Sequence, residues 1–218
     1  MDALRQYFSF LESFDDRGGV AIDRSHALFL FGALVSRKPH NVLELGIGSG
    51  YVSWALLYGI RYNGRGALTS VDNWLDWKGT EPPVAEALRR EGVRVVAPLS
   101  EEEFVKSSPS DLYDFLVSDA DHRRSGSWID EHLRITTHDA FLFFHDTNHE
   151  DRFRGLKAIE ARIRDLRLPH FHFTESSRPD EHCERGWLFA INRKDPETAE
   201  RARAKRGLWK RLAAALGR

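Results

Sequence analysis

Residues 41–50 read NVLELGIGSG, and the fold of the surrounding chain follows from how this stretch is read. Asn41–Leu45 is a short apolar run after Lys38-Pro39. Gly46, Gly48 and Gly50 then break it, and an apolar helical stretch, Tyr51–Ile60, starts at once. Glycines in such a turn let the backbone reverse tightly and let a ligand come close. Dinucleotide loops usually read G-x-G-x-x-G and offer a helix N-terminus to pyrophosphate. Here the spacing is G-x-G-x-G, and Glu44 stands two residues before the first glycine. A carboxylate there is a poor neighbour for phosphate and a good one for a cationic ligand.

The same alternation continues on the C-terminal side. Ala67–Asp72, Val93–Ala97, Asp114–Asp119 and Ala140–Asp146 read as further strands, with helices at Val84–Glu91 and Ser127–Ile135 between them. Near-continuous apolar strands alternating with helices indicate a parallel sheet covered on both faces, an α/β doubly wound fold. Leu156, Ile159, Ile163 and Leu166 fall at helical spacing, so Gly155–Leu168 is an amphipathic helix. Phe171–Ser176 and Gly186–Arg193 read as two strands joined by the polar loop RPDEHCER, short enough for an antiparallel hairpin. Upstream, Asp2–Phe14 and Ser25–Ser36 read as helices. The expected division is a helical cap over 1–38, the α/β domain over 39–194 and a basic helix over 195–218.

Composition narrows the function classes. The 218 residues are 41% hydrophobic and 30% charged, enough for one domain with a sizeable core. Thirty-two Lys+Arg against 33 Asp+Glu give a net charge of -1, which does not suit a nucleic-acid coat. From Pro196 onward there are seven basic and two acidic residues, so a tail of +5 leaves -6 on the rest. An acidic body disfavours nucleic acid further, and the tail reads as a solvated helix or a homo-oligomer contact. One cysteine, Cys183, fits a reducing compartment, and no run approaches the roughly 20 apolar residues of a membrane span. With no secretory signal in MDALRQYFSF, the expectation is a cytoplasmic protein without a membrane partner.

A second acidic marker is Asp72, ending the next strand 22 residues after Gly50. There an acidic side chain can take both hydroxyls of a ribose. Together these residues resemble the class I S-adenosylmethionine-dependent methyltransferases, over about Pro39 to Arg193. The resemblance implies a Rossmann-like, mostly parallel seven-stranded sheet closed by a C-terminal antiparallel hairpin, with S-adenosylmethionine as cofactor. It also implies that Glu44, Gly46, Gly48 and Gly50 hold the methionyl part and Asp72 the ribose. Asn73 and Trp74 would flank sugar and adenine, and Ser100 or Glu101 would meet the adenine amino group.

The remaining chemistry lies at the ends of two later strands. One ends in Ser118-Asp119-Ala120-Asp121-His122 and the other in His145-Asp146-Thr147. Ligands of open α/β sheets bind outside the carboxyl ends of the strands. Neighbouring strands lie about 4.8 Å apart, so Asp119 and Asp146 can share a divalent ion, with His145 as a further ligand. Methyl transfer to a hydroxyl needs its proton removed, which Mg²⁺ or another divalent metal would ease and a base such as His122 would complete.

Asp119-x-x-His122 followed by Asp146 resembles the metal-dependent small-molecule O-methyltransferases of the catechol type and of the macrocin and mycinamicin sugar type. That implies a small hydroxylated substrate, with His122 and Asp121 as catalytic residues. The chain departs from both groups, with Thr147 in place of the catechol type's Asn and His145-Asp146 in place of the sugar type's acidic pair. It lacks the Asn/Asp-Pro-Pro-aromatic signature of base methylation. The alternative is a module of the same fold that binds the cofactor with altered or lost chemistry. Eight of the ten histidines follow residue 120, yet His170-x-His172 and His182-Cys183 match no familiar zinc spacing and read as solvated. His149, Arg152, Trp77 and Trp128 are candidate pocket or lid residues, and Trp54 reads as core.

Overall fold

The computed structural model describes residues 24–75, 83–107, 112–121, 123–147, 154–173 and 186–193, with Arg5, Gln6 and Ser9. The strands are β1 (Asn41–Leu45), β2 (Ala67–Val71), β3 (Arg94–Val96), β4 (Tyr113–Ser118), β5 (Thr136–His145), β6 (His170–Phe173) and β7 (Trp187–Ile191). They form one seven-stranded sheet in the order β3-β2-β1-β4-β5-β7-β6. The first five run parallel, and β7 lies antiparallel between β5 and β6. The doubly wound sheet and its closing hairpin thus match the sequence reading. The chain reverses direction across the sheet between β1 and β4, which opens a crevice at their carboxyl ends.

Residue alternation on the strands builds two cores. Phe115, Val117 and Phe143 face helices α1 (Arg24–Arg37), α2 (Tyr51–Asn63) and α3 (Pro83–Arg90). Leu116, Leu142 and Phe144 face α4 (Glu101–Lys106), α5 (Ile129–Arg134) and α6 (Arg154–Asp165). The central strands β1 and β4 and the second half of β5 are mostly apolar on both sides because each side is covered. The amphipathic stripe of α6 seats Ile159 and Ile163 in the second core, and Arg162 donates to Asp130 at 3.0 Å to tie α6 to α5.

Two elements differ from the sequence reading. Helix α4 has no apolar periodicity, and its start is set by a capping box. Glu103 N donates to Ser100 Oγ at 3.2 Å, while Ser100 N donates to Glu103 Oε2 at 2.9 Å. Strand β5 begins at Thr136 rather than Ala140, across a register shift opposite Tyr113 and Phe115. Its polar opening is pinned by buried Asn192, whose Nδ2 donates to Leu133 O and Thr136 Oγ1 at 3.1 and 3.0 Å. The basic C-terminal helix, most of the first helix and the RPDEHCER loop lie outside the described residues.

Phe143 is fully buried at the centre of the first core. Its ring lies 5.0 Å from Phe115, 4.9 Å from Phe189, 5.9 Å from Phe29 and 6.4 Å from Trp187. Truncating it empties the space on which α1, β4 and β7 meet. Phe143→Ala is expected to cost ~3–5 kcal/mol of unfolding free energy in urea titrations, and a loss below ~1 kcal/mol would contradict this packing.

Candidate active site

The glycine loop leaves β1 with Gly46, Gly48 and Gly50 at φ 92°, 51° and 83°, all left-handed. Gly46 is required on a second ground. A Cβ there would lie 2.6 Å from the carbonyl carbon of Asp119 and 2.9 Å from Ala120 N. The loops after β1 and β4 therefore touch backbone to backbone, and Asp119 N donates to Leu45 O at 2.7 Å beside the contact. At Gly50 a side chain would run into Val84 at the start of α3. The loop that the sequence marks for a cofactor and the segment it marks for a metal are thus one piece of structure.

Asp72 closes the other side of the loop. Its Oδ2 accepts from Ile47 N at 2.8 Å and Gly48 N at 3.1 Å, and its Oδ1 accepts from Trp74 N at 2.7 Å. Asn73 Oδ1 accepts from Leu75 N at 3.1 Å, which tightens the turn. Trp74 takes a left-handed φ of 57°, uncommon for an aromatic residue, and is buried. Its indole N–H finds no partner among the described residues.

Glu44 is fully buried beneath the loop. Ser53 Oγ lies 2.8 Å from both of its carboxyl oxygens, and Ser70 Oγ lies 2.6 Å from Oε2. Burial pushes its pKa up to about 8, with Asp72 and Asp119 adding to the rise against the lowering effect of the two serines. The carboxyl joins β1, β2 and α2 from below.

Ser100 caps α4, and Glu101 behind it is buried. Glu101 Oε1 accepts from Ser118 Oγ at 2.8 Å and lies 2.8 Å from His132 Nε2. Its Oε2 accepts from Ser125 Oγ at 2.7 Å and Asp121 N at 3.2 Å. Burial alone would raise this carboxyl. The bond and charge of His132, then the hydroxyls of Ser125 and Ser118, hold it below the usual carboxylate value. Asp121 Oδ1 accepts from Arg123 N and Arg124 N, both at 3.1 Å, and so shapes the turn leading to Trp128.

At the ends of β4 and β5, Asp119, His145 and Asp146 come together. His145 Nδ1 lies 2.8 Å from Asp119 Oδ1 and 3.5 Å from Asp146 Oδ1, and one donor atom from each residue falls within 4.8 Å of the others. Asp146 reaches this position through a left-handed φ of 57°, which an Asp tolerates. Three donors from adjacent strands suit a divalent cation, and the imidazole suits a first-row transition metal better than Mg²⁺. Helix α1 adds His26, whose ring lies 6.1 Å from His145 and 5.4 Å from Trp187. His122, Trp77, His149 and Arg152 lie outside the described residues.

This geometry has known counterparts. Residues 43–147 match the family model described as a methyltransferase domain, a span that holds the glycine loop, Asp72, Asp119 and the β5 pair. Over that span, just under half of the chain, the sequence is similar to a methyltransferase domain. The fold is similar to that of the Bacillus cereus O-methyltransferase in complex with SAH, at TM-score 0.64 and 15% identity over 88% of this chain and 90% of that one. The Streptomyces achromogenes O-methyltransferase TomG, involved in tomaymycin synthesis and solved with SAM, gives TM-score 0.62 and 15% identity over 88% and 89%. The SAH-bound Podospora anserina methyltransferase PaMTH1 gives TM-score 0.61 and 16% identity over 89% and 88%. No curated protein matches the chain in sequence.

Sequence reasoning missed His26 and the linking role of Glu101. His26 stands four residues before Leu30 and eight before Leu34, on the buried stripe of α1, and a histidine on such a stripe is the available signal. Glu44 makes a measurable difference to the stability of the fold. Its folded pKa of about 8 lies above the ordinary 4.5, so the folded chain holds the proton more tightly. Stability attributable to Glu44 is present below pH 4.5 and is lost as pH rises to about 8, by up to about 1.4 kcal/mol per unit. Urea midpoints of Glu44→Gln and wild type should diverge in favour of the variant from about pH 5 to about pH 8; parallel curves would contradict a buried, proton-holding Glu44.

Proposed function

We propose that the protein transfers a methyl group from S-adenosylmethionine to a hydroxyl of a small metabolite with the help of a divalent metal. The observation that carries this reading is the backbone contact of Gly46 with Asp119, which joins the glycine loop to the Asp119–His145–Asp146 cluster. The SAH and SAM complexes of similar folds support the choice of donor. S-adenosylmethionine supplies an electrophilic methyl on a sulfonium, and a divalent cation lowers the pKa of a hydroxyl bound to it.

The chain's own residues divide the remaining tasks. Gly46, Gly48 and Gly50 give the loop at the methionyl site its left-handed turns, and Glu44 supports that loop from beneath through Ser53 and Ser70. Asp72 takes the ribose hydroxyls, with Asn73 and Trp74 beside sugar and adenine. Ser100 and Glu101 place the start of α4 beside the adenine, Ser100 engaged in the capping box and the Glu101 carboxylate bonded inside the protein. Asp119, Asp146 and His145 would hold the cation, which would bring the acceptor oxygen to the ends of β4 and β5. His122 accepts the hydroxyl proton on a ring nitrogen, while Asp121 fixes the loop that carries it.

No helix among the described residues is long and apolar enough to cross a membrane. With a single cysteine and an acidic body, a cytoplasmic enzyme with a small-molecule substrate is the setting we propose.

Calorimetry should show binding of S-adenosylhomocysteine, weakened at least about tenfold, or about 1.4 kcal/mol, by Asp72→Ala. Tight NAD binding with no response to S-adenosylhomocysteine would overturn the assignment. With Mn²⁺ as titrant, one site is expected in the wild type and none in Asp119→Ala or Asp146→Ala. Methylation of a panel of phenols and sugars that survives both substitutions would remove the metal from the account.

A further inference from the structure

The carboxylate of Glu101, one of the two residues expected at the adenine, is buried instead, and it is bonded to the turn that bears Asp119. It is the first residue of α4, directly after Ser100. Its four partners are His132 on α5 and Ser118, Asp121 and Ser125 around the turn after β4. Ser118 and Asp121 bracket Asp119. Ser125 closes the same turn by donating from N and Oγ to Asp121 O at 2.8 and 2.6 Å. The other side of this segment is fixed by Asp119 N on Leu45 O and by its packing on Gly46. Residues 118–121 and Ser125 are therefore held between the glycine loop and a single carboxylate.

A buried ion pair is a poor device for stability, because desolvation offsets much of its attraction. An apolar pair would fill the volume of Glu101 and His132 and leave Ser118, Ser125 and the Asp121 N–H without an acceptor. His132 packs edge-on against Phe144 at 5.7 Å between ring centroids, which seats the imidazole with its Nε2 on Glu101, while Nδ1 has no hydrogen-bond partner among the described residues.

We infer that Glu101, held by His132, is a positioning residue that ties the turn bearing Asp119 and Asp121 to the helix start where adenine binds, so that cofactor occupancy fixes the acceptor side of the crevice. The inference rests on the methyltransferase reading for the identity of the cofactor, while the tie itself does not. In its consequence, S-adenosylhomocysteine binding at Ser100 stiffens segment 118–128 through Glu101.

Hydrogen–deuterium exchange of the full chain, with and without S-adenosylhomocysteine, tests it in wild type, Glu101→Gln and His132→Gln. In the ligand-free state Glu101→Gln should speed exchange in peptides covering 118–128 by about tenfold, with β1 and β2 peptides unchanged. His132→Gln keeps an N–H donor for Glu101 and should stay near wild type. On adding S-adenosylhomocysteine, exchange across 118–128 should slow in wild type and His132→Gln. It should not slow in Glu101→Gln, although calorimetry shows that this variant still binds. If Glu101→Gln does not fold, Ser125→Ala removes one donor and should give the same turn-restricted increase. Exchange that rises evenly along the chain, or an equal slowing in every variant, would overturn the inference. A wild type that does not bind S-adenosylhomocysteine would sink the methyltransferase reading, and the ligand-free comparison would still decide whether Glu101 positions the turn.

Discussion

The carbonyl of Asp119 occupies the space that a side chain on residue 46 would need. That constraint organises the site. It requires glycine at the first position of the loop and holds β1 and β4 as neighbours at their carboxyl ends. It also puts Asp119 in contact with the glycine loop. A doubly wound sheet opens a crevice at the point where its strand order reverses, between β1 and β4 here. Any larger residue at 46 would force the two loops apart and widen the crevice where the reacting groups must meet.

The acids around this contact have different environments and different tasks. Glu44, below the loop, is desolvated and its pKa is raised to about 8, so it serves as a hydrogen-bonding strut. Asp72 is met by three backbone N–H groups and keeps the loop's amides in order. Glu101 is buried as deeply as Glu44 but receives four donors, and it is held in the ionised direction. Asp119 and Asp146 face the crevice beside His145. The same functional group thus takes a different state and different partners according to what surrounds it.

Much of this was legible in the residues. The five parallel strands read as apolar runs because both faces of the sheet are covered, and Gly46–Gly50, Asp72, Asp119 and Asp146 mark where those strands stop. The closing hairpin followed from the short polar loop between its strands. Helix α4 did not read as a helix by periodicity, since EEEFVK has no apolar stripe, and only the Ser100-x-x-Glu103 cap signalled it. Glu101 looks solvated in a run of three glutamates. Its burial depends on His132, 31 residues away, and on two serines that no local pattern singles out. The early start of β5 was equally hidden, because Thr136 and Thr137 are polar and are stabilised by Asn192 from β7's end. Contacts between distant segments decide such features, and spacing along one segment does not contain them.

The central claim is that cofactor and metal share one crevice across the Gly46–Asp119 contact. Crystals grown with S-adenosylhomocysteine and Mn²⁺, measured at the manganese absorption edge, test it most directly. The account expects one anomalous peak bonded to Asp119, His145 and Asp146, with S-adenosylhomocysteine on the glycine loop and its ribose on Asp72. S-adenosylhomocysteine bound there with no manganese at the three residues, or bound away from the loop, would contradict it.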